Sequence, residues 1–432
     1  ELVRDSVLHG ILGVQRRDQH RLVASAMEDL YSDNLEPWHE ALAQHCALGG
    51  RRVDAARYAH QAGQRLERGQ FLDRALVAYQ RGLAWLSEAP SDPATYEART
   101  QGEAMLHFRI GRLQVLRGEA GSGERALQLS LDIAAVAGLP WIEVRAHLEL
   151  GKSYRQRGRA SLASAHLRQA QAMLSFEDDE ELELACLQAR ASLAFDMGRE
   201  EEAWTLWRSA LEAAGDDLTA RCRCLIGLAN HHLRRGEAEE ATTLLREAQR
   251  NATEAGDRIE QGRALNNLGF AATLARRYDD ALAHFREALS IREGIGYSRG
   301  MVVNHHNIGA VHFERDDLPR AWVGFERSRQ LATRMGWEGG EALNDVYLGY
   351  ISALRGDATG EATLLGARKV AQRLGDVELE LTAAWLLGRL LAATDREDDA
   401  RGVLSEAQHR AGEAGFVHLQ QLIEQASADI SV

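Results

Sequence analysis

The chain has 432 residues, a net charge of −13, 45% hydrophobic and 27% charged side chains, and five prolines. That length exceeds one ordinary core, so several domains or a repeat array is expected, and the scarcity of proline favours helix. The negative charge removes non-specific attraction to nucleic acid or an anionic membrane as a default, and no run of about 18 apolar residues offers a membrane span.

The opening stretch, "ELVRDSVLHGILGVQRRDQHRLVASAMEDLYSD", reads as a helical entry segment over 1–35, and the start at Glu1 rather than methionine suggests a piece of a longer protein. Residues 36–95 hold three helical patterns, one pair of which carries Gly63, Ala75, Tyr79 and Gly82; Pro90 and Pro93 then interrupt. From 96 to 415 a small residue recurs at Gly111, Gly151, Ala191, Ala229, Gly269, Gly309, Gly349 and Gly388, spaced by 38 to 40 residues. Twelve positions after it comes a second small residue (Ala163, Ala203, Ala241, Ala281, Ala321, Ala400). A bulky one follows four further on (Leu167, Trp207, Leu245, Phe285, Phe325, Leu365, Leu404), and a third small residue three beyond that. This pattern predicts eight helical hairpins in which small residues let two axes approach and a large side chain fills the gap. Glycines such as Gly158 and Gly236 fall between paired helices, and others such as Gly256 and Gly375 fall between hairpins, where left-handed helix ends are expected. The hairpin around Gly349 reads as degenerate, with Glu361 and Arg368 where small residues belong. The last stretch, 416–432, is expected to be a capping helix.

The stretch "ALNNLGFAATLARRYDDALAHFREAL" (264–289), with Leu265, Leu268, Gly269, Ala281, Phe285 and Ala288, resembles a tetratricopeptide repeat (TPR). The next repeat is similar at Ile308, Gly309, Ala321, Phe325 and Ser328, and the likeness extends over about 96–415. It implies an all-α, right-handed superhelical solenoid with units of ~40 residues, like the longer repeats of kinesin light chains and of bacterial signal-transduction ATPases. The opening stretch, 1–33, is similar to the segment that follows the ATPase and winged-helix modules of STAND-type regulators. In MalT-like activators and ATPase-linked cyclases that segment leads into a TPR array. "LVRDSVLHGIL" would then be the tail of the winged helix.

Several motifs invite chemistry. "AHLELGKS" (146–153) fits the loosest phosphate-loop pattern, but its apolar spacing is helical, no strand precedes it, and Gly151 is the repeat's packing glycine. His231–His232 and His305–His306 with His312 lack a completing ligand set, so helix-packing histidines are expected and no metal. The acidic run 177–183 suits a helix N-terminus. Cys46, Cys186, Cys222 and Cys224 have no zinc spacing and read as free thiols of a reducing cytosol. No nucleophile–base motif and no cofactor fingerprint stands out, so a non-catalytic protein is expected.

In TPR arrays the first helix of each hairpin lines the inner surface. Helical geometry puts four positions per repeat on that face: six and three before the signature residue, one and four after it. Those positions hold Arg112, Arg145, Lys152, Arg155, Arg223, Arg263 and Arg389 and no carboxylate, where uniform scatter would place roughly five acids. Asn230, Asn266 and His306 join the stripe, as do Phe270, Phe313, Tyr350 and Trp385. Asn266, Asn267 and Asn307 resemble the asparagines by which related TPR proteins hold peptides. A basic groove for a protein or peptide with an acidic segment and apolar anchors is therefore expected, with a small anion as the alternative ligand. The function this implies is the sensing region of a cytosolic bacterial STAND-type regulator; the alternative is a stand-alone interaction scaffold.

Overall fold

The computed structural model describes residues 13–174 and 179–430. The expected winged-helix tail at 2–12 lies outside the described residues, as do 177–178 of the acidic run. Within the described residues there are 21 α-helices, two short 3-10 turns and no strand. Contacts divide the chain into two compact units, one of residues up to 115 with 120–150, the other of 116–119 with 151–432.

In the first unit, α1 (Gly13–Leu30) and α2 (His39–Leu48) lead to the pair α3 (Arg52–Arg68) and α4 (Leu72–Ser87), then to α5 (Tyr96–Leu116) and α6 (Ala120–Ala137). Ala24, Leu42, Cys46, Tyr58 and Ala59 bury together. Glu28 ties the entry helix down, accepting two hydrogen bonds of 2.8 Å from Arg51 and one of 2.7 Å from the Tyr58 hydroxyl. Helix α7 (Pro140–Gln156) begins here and runs on into the second unit.

The second unit continues with α8 (Ala160–Leu174), then the hairpins α9 (Glu180–Asp196) with α10 (Glu200–Ala213) and α11 (Leu218–Arg234) with α12 (Ala238–Glu254). Next come α13 (Arg258–Leu274) with α14 (Tyr278–Ile295), and α15 (Ser298–Glu314) with α16 (Leu318–Arg334). The last pairs are α17 (Glu338–Leu354) with α18 (Gly360–Leu374) and α19 (Val377–Ala393) with α20 (Glu397–Glu413), before α21 (Val417–Asp429). Leu419, Ile423 and Ala426 of α21 join the core of the preceding hairpins.

One contact repeats throughout. The small residue of each first helix faces the bulky residue of the second. A Cβ added at Gly269 would stand 2.6 Å from Phe285, at Gly151 2.6 Å from Leu167, and at Gly388 2.5 Å from Leu404. The entry pair obeys the same rule, with Gly63 against Tyr79 at 2.3 Å. In "AHLELGKS" residues 146–153 lie inside α7, so the amides of Gly151, Lys152 and Ser153 belong to a continuous helix.

The turn inside every hairpin has a left-handed residue seven positions after the signature one. Glycine occupies it at Gly118, Gly158, Gly198, Gly236 and Gly356, but Gln70, Arg276, Asp316 and Asp395 take it at φ of 57–61°. The chain geometry demands that conformation whether or not the residue favours it. Aspartates begin several first helices: Asp179, Asp217, Asp257 and Asp376 accept from backbone amides two or three residues on. Each such cap contributes about 1 kcal/mol.

The Gly349 hairpin is corrected by the structure. It is complete but one residue shorter between its helices, so Gly360, Leu364 and Ala367 take the packing roles. Leu364 is fully buried, whereas Leu365 is 36% exposed.

Two substitutions separate these constraints. Asp395→Gly should raise the unfolding free energy by about 0.5–1 kcal/mol by relieving left-handed strain. Gly269→Ala should lower it by about 1–3 kcal/mol, because the Phe285 ring blocks the added methyl. Urea denaturation followed by circular dichroism reads both.

Candidate functional site

The inward asparagines form a connected ladder across three successive first helices. Asn267 Nδ2 donates to Asn230 Oδ1 at 2.7 Å, and Asn266 Nδ2 to Asn267 Oδ1 at 3.2 Å. Asn266 Oδ1 accepts from Asn307 and from Asn304, both at 3.1 Å. Asn304 is fully buried and is fixed by Arg292 Nη1 at 2.6 Å and by the Phe285 carbonyl at 3.2 Å. This order follows from the sequence: one or two carboxamides per first helix, near the signature residue, bring successive side chains within hydrogen-bond reach once the hairpins stack.

The ladder forms one wall of a cavity of about 190 Å³. Asn230, Asn266, Asn267, Asn307 and Phe270 line it, with Phe195 from α9. The opposite wall comes from much later in the chain: Glu378 in the first turn of α19, and Phe416, His418 and Leu419 at the start of α21. Arg234 closes one edge. Its guanidinium stacks 3.6 Å over Phe195 and 5.0 Å over Phe416, donates to the Phe195 carbonyl at 3.0 Å, and lies 3.7 Å from Glu200.

The later chain arrives here because the second unit coils back on itself. A Cβ on Gly158 would stand 3.0 Å from the Leu374 carbonyl, and one on Gly415 3.3 Å from Glu200. Arg299 bridges the same seam, donating to the Gln156 carbonyl at 2.7 Å and stacking 3.8 Å over Trp337.

The expected basic stripe is revised. Arg223 Nε lies 2.9 Å from Glu260 and Arg263 Nη1 3.1 Å from the same carboxylate, which is 3% exposed. Burial pushes the Glu260 carboxyl up, but Arg263 and Arg223 outweigh it and hold it below its ordinary value. Arg155 pairs with Asp196 at 2.6 Å, and in the first unit Arg112 pairs with Glu67. Glu260 and Asp196 stand outside the four stripe positions yet reach back to them, and Glu67 comes from the entry pair ahead of the array, so the base surplus is largely matched within the fold. Arg145 stacks on Trp141 at 5.6 Å and donates to its carbonyl, while Lys152 is half-buried on α7.

The aromatic stripe residues also gather. Phe313, Tyr350 and Trp385 are all buried and surround the Arg389 guanidinium at 5.8, 5.4 and 5.2 Å. They cage their own arginine rather than standing open, whereas Phe270 is 37% exposed. His306 is buried between Phe325 and Tyr347, and its Nδ1–H donates to Asn344 Oδ1 at 3.1 Å. His231 and His232 pack on Trp204, with His232 2.6 Å from Glu237. Among the described residues no cluster of three metal-ligating side chains occurs, and no helix is long and apolar enough to cross a membrane. The four cysteines are buried and free; burial pushes the Cys46 and Cys224 thiols up to about 11 and Cys222 to about 12.

Sequence reasoning missed Glu260, Asn304, Phe195, Arg234, Glu378 and Phe416. Phe195 occupies a stripe position, and Asn304 lies five before its signature glycine, so both had a signal. Glu378 and Phe416 had none, because their place depends on how far the solenoid turns.

Residues 221–294 and 260–333 match the tetratricopeptide repeat family profile, so this stretch consists of tetratricopeptide repeats. A search of curated protein sequences finds no match. Among solved structures, the apo form of the quorum sensor NprR from B. thuringiensis is similar at 16% identity and a TM-score of 0.53, over 83% of this chain and 97% of that one. Aspartyl phosphate phosphatase F from Bacillus subtilis is similar at 14% identity and 0.50, over 84% and 93%. A Signal Transduction ATPase with Numerous Domains (STAND) protein with a tetratricopeptide repeat sensor from Pyrococcus horikoshii gives 14% and 0.46, over 81% and 55%. At these identities the likeness is one of fold, and the fold is an all-α repeat solenoid.

Acid should unmask the His306 packing. Burial lowers its pKa from 6.5 to about 4, so the unfolded chain takes the proton first. The stability due to the neutral ring is present above pH 6.5 and is lost as pH falls towards 4, by about 3 kcal/mol in all. The difference in unfolding free energy between the wild type and His306→Gln should shift by that amount between pH 7 and pH 4.

Proposed function

We propose that the second unit binds an extended polypeptide segment against the asparagine ladder, and that recognition rather than catalysis is the task of this region. The observation that carries the reading is the row of Asn230, Asn267 and Asn307 facing one cavity. A carboxamide carries both a donor and an acceptor in the same plane as a peptide group, so a row of them suits a backbone whose side chains vary. Phe195 and Phe270 supply apolar surface beside the row. A solenoid of the same fold is a quorum sensor in NprR.

In its larger setting we read the chain as the sensing region of a cytosolic STAND-type regulator, with α1 to α4 passing occupancy towards an ATPase. The similarity of residues 1–33 to the segment that follows such ATPases supports this. A Walker A and B pair encoded in the same open reading frame is the expected result; an open reading frame without one overturns the setting and leaves the groove reading standing. The matching of Arg155, Arg223 and Arg263 by carboxylates removes the main support for an acidic segment as the ligand.

A labelled pool of random dodecapeptides, enriched on the immobilised protein, tests the groove. The double substitution Asn267→Ala, Asn307→Ala should weaken the enriched peptides about ten- to thirtyfold by anisotropy, on the scale of two lost hydrogen bonds. Equal binding by a folded double variant sinks the reading.

A further inference from the structure

Two charged side chains line the cavity against the ladder, Arg234 and Glu378, and of the two only Arg234 has an ion-pair partner. Glu378 sits in the first turn of α19 with its side chain exposed and lining the cavity, and its carboxylate has no hydrogen bond or ion pair among the described residues. Desolvation by the surrounding atoms raises its pKa above the ordinary value, repulsion from Asp376 adds to this, and Arg234 opposes it.

Arg234, Asp376 and Asp196 near this wall have partners, whereas Arg276, beside His418 but not among the lining residues, has none among the described residues. Arg234 is held between Phe195 and Phe416, with Glu200 at 3.7 Å. Asp376 caps α19 by accepting from the Leu379 amide, and Asp196 is bound to Arg155. Burial lowers the pKa of His418, and Arg276 lowers it further, so the ring is uncharged at neutral pH. An anion at the N-terminus of α19 would meet the capping Asp376 and the Glu378 carboxylate before any free amide. Of the charged side chains that line the cavity, Glu378 is the one with no hydrogen bond or ion pair among the described residues.

We propose that this cavity anchors a positively charged side chain, lysine or arginine, of the bound segment, with Glu378 as its counter-ion. The inference rests on the peptide-groove reading and adds the chemistry of its anchor. Phe270 and Phe195 flank the aliphatic stem and offer ring faces to the cation. Asn230, Asn267 and Asn307 hold the backbone on either side. A cavity of about 190 Å³ admits one long side chain and no folded element.

Three fluorescein-labelled heptapeptide pools decide the matter, identical except for lysine, norleucine or glutamate at the central position. The lysine pool should bind at least tenfold more tightly than the norleucine pool, and the glutamate pool more weakly than either. Glu378→Gln should bring the lysine pool to within threefold of norleucine, while Glu378→Asp keeps most of the preference. Equal binding of the lysine and norleucine pools overturns the cationic anchor and leaves the groove reading intact. So does a lysine preference that survives in Glu378→Gln. Failure of all three pools overturns both.

Discussion

Everything in this molecule depends on how closely two helices of one hairpin can approach. A glycine or alanine on the first helix and a large ring or leucine on the second set that distance, and no methyl group can be added between Gly269 and Phe285. The turn that joins them imposes a second demand, a left-handed backbone seven positions after the small residue, met even by Arg276, Asp316 and Asp395. A solenoid assembled from such contacts gains stability from each hairpin and from its neighbour, with no single central core. This explains why a one-residue deletion in the α17–α18 turn is absorbed: Gly360 and Leu364 move into register and the contact survives.

Stacking hairpins has a consequence that no single hairpin contains. Each adds a small rotation, and the second unit eventually meets itself again, Gly158 against Leu374 and Glu200 against Gly415. The asparagine-lined cavity exists because of that return. Its ladder belongs to α11, α13 and α15, while its far wall is the start of α19 and α21. Ligand chemistry is thereby tied to superhelical pitch. A change that opened or tightened the coil would alter the cavity without touching any residue of the ladder, which gives such an array a direct way to couple binding to shape.

Charge in the interior follows a different logic from charge in the sequence. The inward stripe carries arginines and no acids, yet Arg223 and Arg263 share Glu260, and Arg155 takes Asp196. A half-buried guanidinium needs a counter-ion, and the fold supplies it from positions one to three residues off the stripe. Once those pairs are made, the electrostatics of the cavity are decided by Glu378, which has none among the described residues.

The periodicity of small and large residues was enough by itself to mark helical hairpins and the glycines where the backbone turns left-handed, though not Arg276, Asp316 and Asp395, which take the same turn against their preference. These are local demands, met within about 40 residues and legible from spacing alone. Helix register also marked Asn230 and Asn266 as inward, and the resemblance to the asparagines by which related TPR proteins hold peptides added Asn267 and Asn307. Only the tertiary structure decided which charges cancel and what faces the ladder. Glu260 lies nine positions before Gly269, outside any stripe drawn on one helix face, and Glu378 and Phe416 arrive from the far side of a full turn. Pitch is the sum of many small packing rotations, each set by the shapes of side chains in contact, and no spacing in the sequence records that sum.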